Sequence, residues 1–141
     1  MKIGYLPGVW DLFHVGHLRM IERAAEQCDH LVVGVCSDEC VERSKGRRPF
    51  VPCEQRQEIV SEVVGVHEAL AYESVYQGDM LRLVHPAVFF HGPEYGQLPA
   101  QSETLAACAA RGTRTVMLPR TSGVSTTELI RKIIEAQRGD A

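Results

Sequence analysis

The chain has 141 residues, 45% of them hydrophobic and 23% charged, which suits one compact domain spanning 1–141 and able to bury its own core. Its 18 acidic residues outnumber 15 Lys and Arg, a formal net charge of −3 that speaks against a nucleic-acid partner but leaves room for a local phosphate site. The five cysteines are odd in number and include no C-x-x-C pair, so neither a disulfide framework nor a zinc ribbon is indicated.

Read in chain order, residues 2–6 (KIGYL) predict a short buried strand stopped by Pro7-Gly8. Leu18, Ile21, Ala24 and Ala25 recur at helical spacing within 15–27. The β-branched run LVVGVC (31–36) suits a strand covered on both faces, as in a parallel sheet. It is also the longest apolar stretch and far too short to span a bilayer, and no signal peptide precedes it, so a cytoplasmic protein with no membrane contact is expected. Residues 37–52 lack periodicity and read as mostly loop. A helix is predicted over 54–64, a strand over 66–71, a helix over 75–84 and a strand over 87–91. A loop (92–99), a helix (103–111), a strand (113–118), a helix (126–137) and a loose tail complete the chain. This alternation predicts an α/β fold, a Rossmann-like three-layer α/β/α sandwich with a five-stranded parallel sheet.

In such sheets ligands lie beyond the carboxyl ends of the strands. The first of these turns reads PGVWDLFHVGH (7–17). A helix N-terminus offers free N–H groups and partial positive charge to a phosphate. Gly8 frees the backbone where the strand ends, and Gly16 lets the backbone approach a ligand. His14 and His17, three apart, share a face and can donate to phosphate oxygens that gain charge in a transition state. Two histidines at this spacing also suit a solvated surface or a metal pair.

The second turn, RTSGVSTTELI (120–130), opens the last helix at the same sheet edge. Arg120 can grip phosphate oxygens in a fork, Gly123 keeps the loop open, and Thr126 and Thr127 add hydroxyls. Ser125 to Glu128 has the form of a capping box, which by itself requires only a helix start.

GVWDLFHVGH resembles the HxGH signature of cytidylyltransferases that act on small phosphorylated alcohols, the glycerol-3-phosphate enzymes most of all. RTSGVSTT is similar to their RTxGISTT signature, with Val124 in place of Ile. The resemblance runs from the N-terminus to about residue 134. It implies that CTP is bound by Val9, Trp10, His14, Gly16, His17 and Arg120, Thr121, Gly123, Val124, Ser125, Thr126 and Thr127. It further implies Lys45 as a catalytic bridge between nucleotide and acceptor phosphates, and Arg56 and Asp38 as acceptor-side residues, with Arg47 and Arg48 as further cations. His14, His17, Lys45 and Arg120 form the expected catalytic set. Mg²⁺ is expected on the triphosphate rather than in a protein cage. The acceptor is expected to be a small phosphate or phosphonate, and the relatives are commonly homodimers, with 63–66 a candidate contact.

Two positions depart from the family pattern. Val64 stands where the glycerol phosphate enzymes carry an arginine, and Gly92-Pro93-Glu94-Tyr95 replaces the usual GDDW near the base. Glu94 and Tyr95 remain candidates for reading and stacking the base beside Gly92. An adenylyltransferase of the same fold, and a nucleotide-binding module without catalysis, are the rival readings.

Overall fold

A computed structural model describes residues 1–139. Five parallel strands, β1 (Ile3–Gly8), β2 (His30–Cys36), β3 (Val66–Tyr72), β4 (Val88–His91) and β5 (Arg114–Met117), form one sheet in the order β3-β2-β1-β4-β5. Side chains alternate across it. Leu6, Val33 and Phe90 enter one core with Ile21 and Val60, whereas Tyr5, Val32 and Phe89 enter the other with Leu81 and Cys108. The first core is closed by α1 (Val15–Ala25) and α3 (Cys53–Ser61). The second is closed by α2 (Asp38–Lys45), α4 (Gly78–Val84) and α5 (Pro99–Ala110). The helix α6 (Thr126–Gly139) follows β5 and has no fully buried residue. This is the three-layer sandwich expected from the alternation.

The topology sets the position of a crevice. The chain leaves β1 towards β2 and β3, then crosses back to β4 and β5 on the other side, so strand order reverses at β1. Pairing of β1 with β4 ends at Tyr5↔Phe89, whereas β2 follows β1 to Gly8↔Val35. The carboxyl ends of β1 and β4 therefore part. The first strand also runs on through Pro7-Gly8, where the sequence predicts its end.

Residues 37–52, expected to be mostly loop, contain α2. Only Cys40 and Val41 of this helix are buried, so no apolar stripe announces it. Its ends are well specified. Ser37 Oγ accepts from Cys40 N–H at 3.1 Å, Asp38 and Glu39 lie in the first turn, and Gly46 closes the helix at φ +79°. Lys45 is thus the last residue of a helix rather than a point on a loose loop. α3 ends at Ser61, short of the predicted Val64, and Val64 lies beyond it with 92% of its surface exposed. α5 begins at Pro99, four residues earlier than expected, with the proline in the first turn where a missing N–H costs nothing. The predicted tail is helical at Arg138 and Gly139; Asp140 and Ala141 lie outside the described residues. No described helix is long and apolar enough to cross a membrane.

Candidate functional site

The turn after β1 is tightly built. Trp10 and Leu12 have φ of 60° and 50°, a region that β-carbon-bearing residues rarely occupy and that is held only when the surroundings impose it. The surroundings here are explicit: Trp10 Nε1 donates to Gly34 O at 2.9 Å, and its ring lies where a Gly8 β-carbon would come within 2.7 Å.

His14 caps α1. Its Nδ1 accepts from Gly16 N–H at 3.0 Å, and His17 Nδ1 accepts from His14 N–H at 3.1 Å. Because both Nδ1 atoms are engaged as acceptors, each neutral ring carries its proton on Nε2. The rings stack 3.8 Å apart, with His17 also against Phe13 and edge-on to Trp10. Burial, joined by the neighbouring His14 and Lys45 and opposed in part by Asp11, pushes the His17 pKa down to about 4. Burial also lowers that of His14. The two imidazoles are neutral N–H donors, fixed before any ligand arrives. A β-carbon on Gly16 would lie 2.8 Å from His14 Cε1 and push that ring from its place.

Thr126, at the start of α6, donates to Asp11 O at 3.0 Å and lies 3.5 Å from His14 Nε2, which joins the second turn to the first. Ser125 Oγ accepts from Glu128 N–H at 3.0 Å, but Glu128 turns to Arg131, so only half of the capping box forms. Asp11, 4% exposed, accepts from Phe50 and Val51 N–H, each at 2.9 Å, and lies 4.0 Å from Arg47. Its role was not legible, since its partners are about forty residues away.

These elements enclose a chamber of about 330 Å³. It gathers Gly8, Val9, Trp10, His14, Gly16, His17, Lys45, Arg47, Gly92, Arg120, Thr121, Val124, Ser125, Thr126 and Thr127 from the expected set. A second chamber of about 280 Å³ shares Pro7, Gly8, Val9 and Lys45 with the first and contains Tyr95. Among the described residues two buried hydroxyls have no hydrogen-bond partner, Thr121 Oγ1 and the Tyr95 hydroxyl, and each belongs to the lining of one chamber.

Other expected residues lie elsewhere. Arg56, 1% exposed, donates to Val51 O at 2.7 Å, Val9 O at 2.6 Å and Asp38 at 2.7 Å. Arg56 and Asp38, expected on the acceptor side, line neither chamber, and through these bonds they join the end of β1 to the segment before α3. Arg48 reaches Asp38, Glu39 and Glu42 and lines neither chamber. Glu94 pairs with Arg120, and Gly123 stands outside the lining of both. Tyr95 stacks on His91 at 5.3 Å and faces the second chamber, not the first. Of the five site cations expected, Lys45 alone has no carboxylate within ion-pair reach among the described residues, and it borders both chambers.

A parallel sheet with two neutral imidazoles and a second helix start over its switch point is the arrangement of a nucleotidyltransferase-type domain. The family model described as cytidylyltransferase-like matches residues 5–132, and the chain belongs to that family. It is 34% identical over 131 residues to the bifunctional protein HldE of Hyphomonas neptunium, covering 92% of this chain and 26% of that protein. With the HldE of Gluconacetobacter diazotrophicus it shares 30% identity over 141 residues, covering 99% and 29%. The chain thus spans just over a quarter of the length of these relatives. Among solved structures, a lipopolysaccharide core biosynthesis protein from Thermoplasma volcanium has a TM-score of 0.70 at 23% identity, covering 86% of this chain and 97% of that one. TmcAL of Thermotoga maritima, bound to alpha-thio ATP, has a TM-score of 0.73 at 14% identity, covering 98% and 51%. These two likenesses concern the fold.

Proposed function

We propose that the protein transfers a nucleoside monophosphate unit from a nucleoside triphosphate to a small phosphorylated acceptor and releases pyrophosphate. The observation that carries this reading is that the two chambers adjoin, sharing Gly8, Val9 and Lys45 in their linings beside a pair of preset N–H donors. Two anions, one in each space, would meet where the linings join. An acceptor phosphate oxygen attacks the α-phosphorus in line, the new P–O bond forms, and the bond to the bridging oxygen of pyrophosphate breaks.

The acceptor oxygen is already ionised at neutral pH, so the reaction needs positioning and charge stabilisation rather than a strong base. His14 and His17 donate from Nε2 to phosphate oxygens without adding charge. Lys45 offsets the repulsion between the two phosphates. Arg120 holds the triphosphate once it leaves Glu94, and the backbone N–H groups at the start of α6 add to its binding. Among the described residues no group of three or more His, Cys, Asp or Glu side chains gathers for a metal. We assign Mg²⁺ to the nucleotide, whose triphosphate oxygens would hold it and where it would supply charge neutralisation for the leaving group.

The base is assigned as cytosine on the two signature turns and the family. Adenine is the second reading, favoured by the alpha-thio ATP bound to one structural neighbour. A sugar- or polyol-type phosphate is the favoured acceptor, on the lipopolysaccharide core biosynthesis neighbour and the glycerol phosphate resemblance. We extend the proposal to a homodimer with the exposed Val64 at its contact, to be checked by light scattering. The functional test is Mg²⁺-dependent pyrophosphate release with CTP and ATP, each crossed with a panel of small phosphates. Release with CTP supports the reading in full, release with ATP alone moves it to adenylyl transfer, and binding without release from any pair removes it.

A further inference from the structure

Arg47 and Arg48 are neighbours with different surroundings. Arg48 reaches Asp38, Glu39 and Glu42 on α2, whereas Arg47 belongs to the lining of the first chamber and not of the second. Ion pairing holds Arg47 only weakly. Among the described residues its one carboxylate within reach is Asp11, which stands 4.0 Å away and already accepts from two backbone N–H groups. Nη1 donates to Arg48 O at 3.3 Å, and Nη2 and Nε have no hydrogen-bond partner among the described residues. A further contact is aromatic. The guanidinium carbon lies 4.9 Å from the centre of the Phe50 ring, within the range of a cation–π interaction. The Phe50 ring contributes little to packing, since the residue is 60% exposed and belongs to neither core. Its backbone is fixed all the same, because Phe50 N–H donates to Asp11 at 2.9 Å. Asp11 lies in the turn between β1 and α1, the turn that ends in His14. The ring, and the cation on it, are therefore set in register with that turn.

Taking the transferase reading above as given, we infer that Phe50 is a positioning residue: it holds the Arg47 guanidinium at the first chamber, where Arg47 receives the phosphate chain of the nucleotide rather than the acceptor. Stacking uses a face of the planar guanidinium and leaves the N–H groups at its edge free to donate. A phosphate oxygen can thus take Nη2 and Nε without displacing the ring. The Arg47 side chain is 44% exposed, and an arginine so placed ordinarily loses rotamer freedom when a ligand orders it. Phe50 and Asp11 restrict it beforehand, so less of the binding free energy is lost on ordering. An exposed phenylalanine here has its use in the arginine it carries.

The test is a double-mutant cycle read by calorimetric titration of the α,β-methylene analogues of CTP and ATP, using whichever binds the wild type more tightly. The proteins are the wild type, Phe50→Leu, Phe50→Tyr, Arg47→Ala and the double variant of Arg47→Ala with Phe50→Leu. Phe50→Leu keeps an apolar side chain and removes the π face, and is expected to weaken the analogue by about twofold to fivefold. Arg47→Ala is expected to weaken it by at least about tenfold, as for the loss of hydrogen bonds from a charged donor. In the Arg47→Ala background Phe50→Leu should cost nothing further, because the ring then has no cation to hold. Phe50→Tyr keeps the π face and should bind as the wild type does. Both single Phe50 variants should keep the wild-type melting temperature, since the ring lies outside the cores. Equal weakening by Phe50→Leu with and without Arg47 overturns the inference. So does an Arg47→Ala protein that binds the analogue as the wild type does, and so does Phe50→Tyr as weak as Phe50→Leu. Pyrophosphate release, measured on the wild type with the panel of small phosphates, separates the two readings. If no pair gives release but the cycle shows the coupling, the transferase reading falls and Phe50 still positions Arg47 for a bound nucleotide. If release occurs and the cycle is additive, the role of Phe50 falls alone.

Discussion

His17 receives its hydrogen bond from the backbone N–H of His14, at 3.1 Å, through the one ring nitrogen that a proton would otherwise take. Protonating that nitrogen would break the cap of α1 as well as place charge in a half-buried ring. Local folding and donor chemistry therefore hold His17 in the same state. We expect His17→Ala to lower kcat by about 10²–10³-fold, the usual effect of losing a preorganised donor, with nucleotide KM changed far less. A KM effect without a kcat effect, measured by steady-state pyrophosphate release, would refute this.

The same geometry predicts a pH effect on stability. The folded pKa of about 4 lies below the ordinary value of 6.5, so between these limits the unfolded chain binds a proton that the folded one does not. Stability contributed through His17 is thus full above about pH 6.5 and is lost as pH falls towards 4. The slope approaches about 1.4 kcal/mol per pH unit near pH 5. His17→Gln should flatten that part of a urea-unfolding series, and an unchanged series would show that the ring titrates normally.

Arg120, in the lining of the first chamber, pairs with Glu94, and both are more than half exposed. A surface pair of this kind is worth about 1 kcal/mol or less. Glu94→Gln should lower nucleotide KM by up to about fivefold at low salt, with the advantage shrinking at high salt. Arg120→Ala should raise it. A higher nucleotide KM in Glu94→Gln would instead place that carboxylate on the nucleotide.

Asp11 binds the segment after α2 through two backbone N–H groups. Asn at this position turns an N–H towards one of them. Asp11→Asn should destabilise the fold by about 2–3 kcal/mol, since hydrogen bonds to charged groups contribute about 1.5–3 each. It should also expose the Arg47–Arg48 segment to trypsin. Cleavage there as slow as in the wild type would show that Asp11 does not hold the segment.

For Arg56, buried against Asp38, the expected loss is one of stability rather than acceptor recognition. Removing one partner of a buried pair costs about 3–5 kcal/mol. Arg56→Ala should lower the melting temperature sharply, whereas acceptor KM, measured well below that temperature, should change only a few-fold. A large KM effect in a protein of normal stability would restore Arg56 to the acceptor site.

The strands, the parallel sheet they form and the turns after β1 and β5 were legible because their signals are local: β-branched runs, glycines at strand ends and hydroxyls at helix starts. Helix α2 was not, since its two buried residues make no stripe, although Ser37 and Gly46 marked both its ends. The Arg56–Asp38 strut was illegible for another reason. A basic residue on a predicted helix reads the same whether it faces solvent or core, and only the approach of Val9 O and Val51 O decides. The second chamber was hidden for the same cause, because Tyr72, Gln77 and Gln101 meet only after β3 and α5 have folded.

Helix α6 contributes the start of its first turn to the site, yet none of its residues is fully buried, and from Arg131 to Gly139 all are exposed. The element proposed to receive the triphosphate is thus among the least anchored of the described helices, and its local opening should require less free energy than global unfolding. Nucleotide binding then acts as a clasp. Amide hydrogens in the first turns of α6 should exchange with solvent readily in the free protein and slow on loading, while those of β1 and β2 stay protected throughout. Part of the intrinsic affinity would then go to holding that helix in place, so the measured affinity is expected to be weaker than the contacts alone would give.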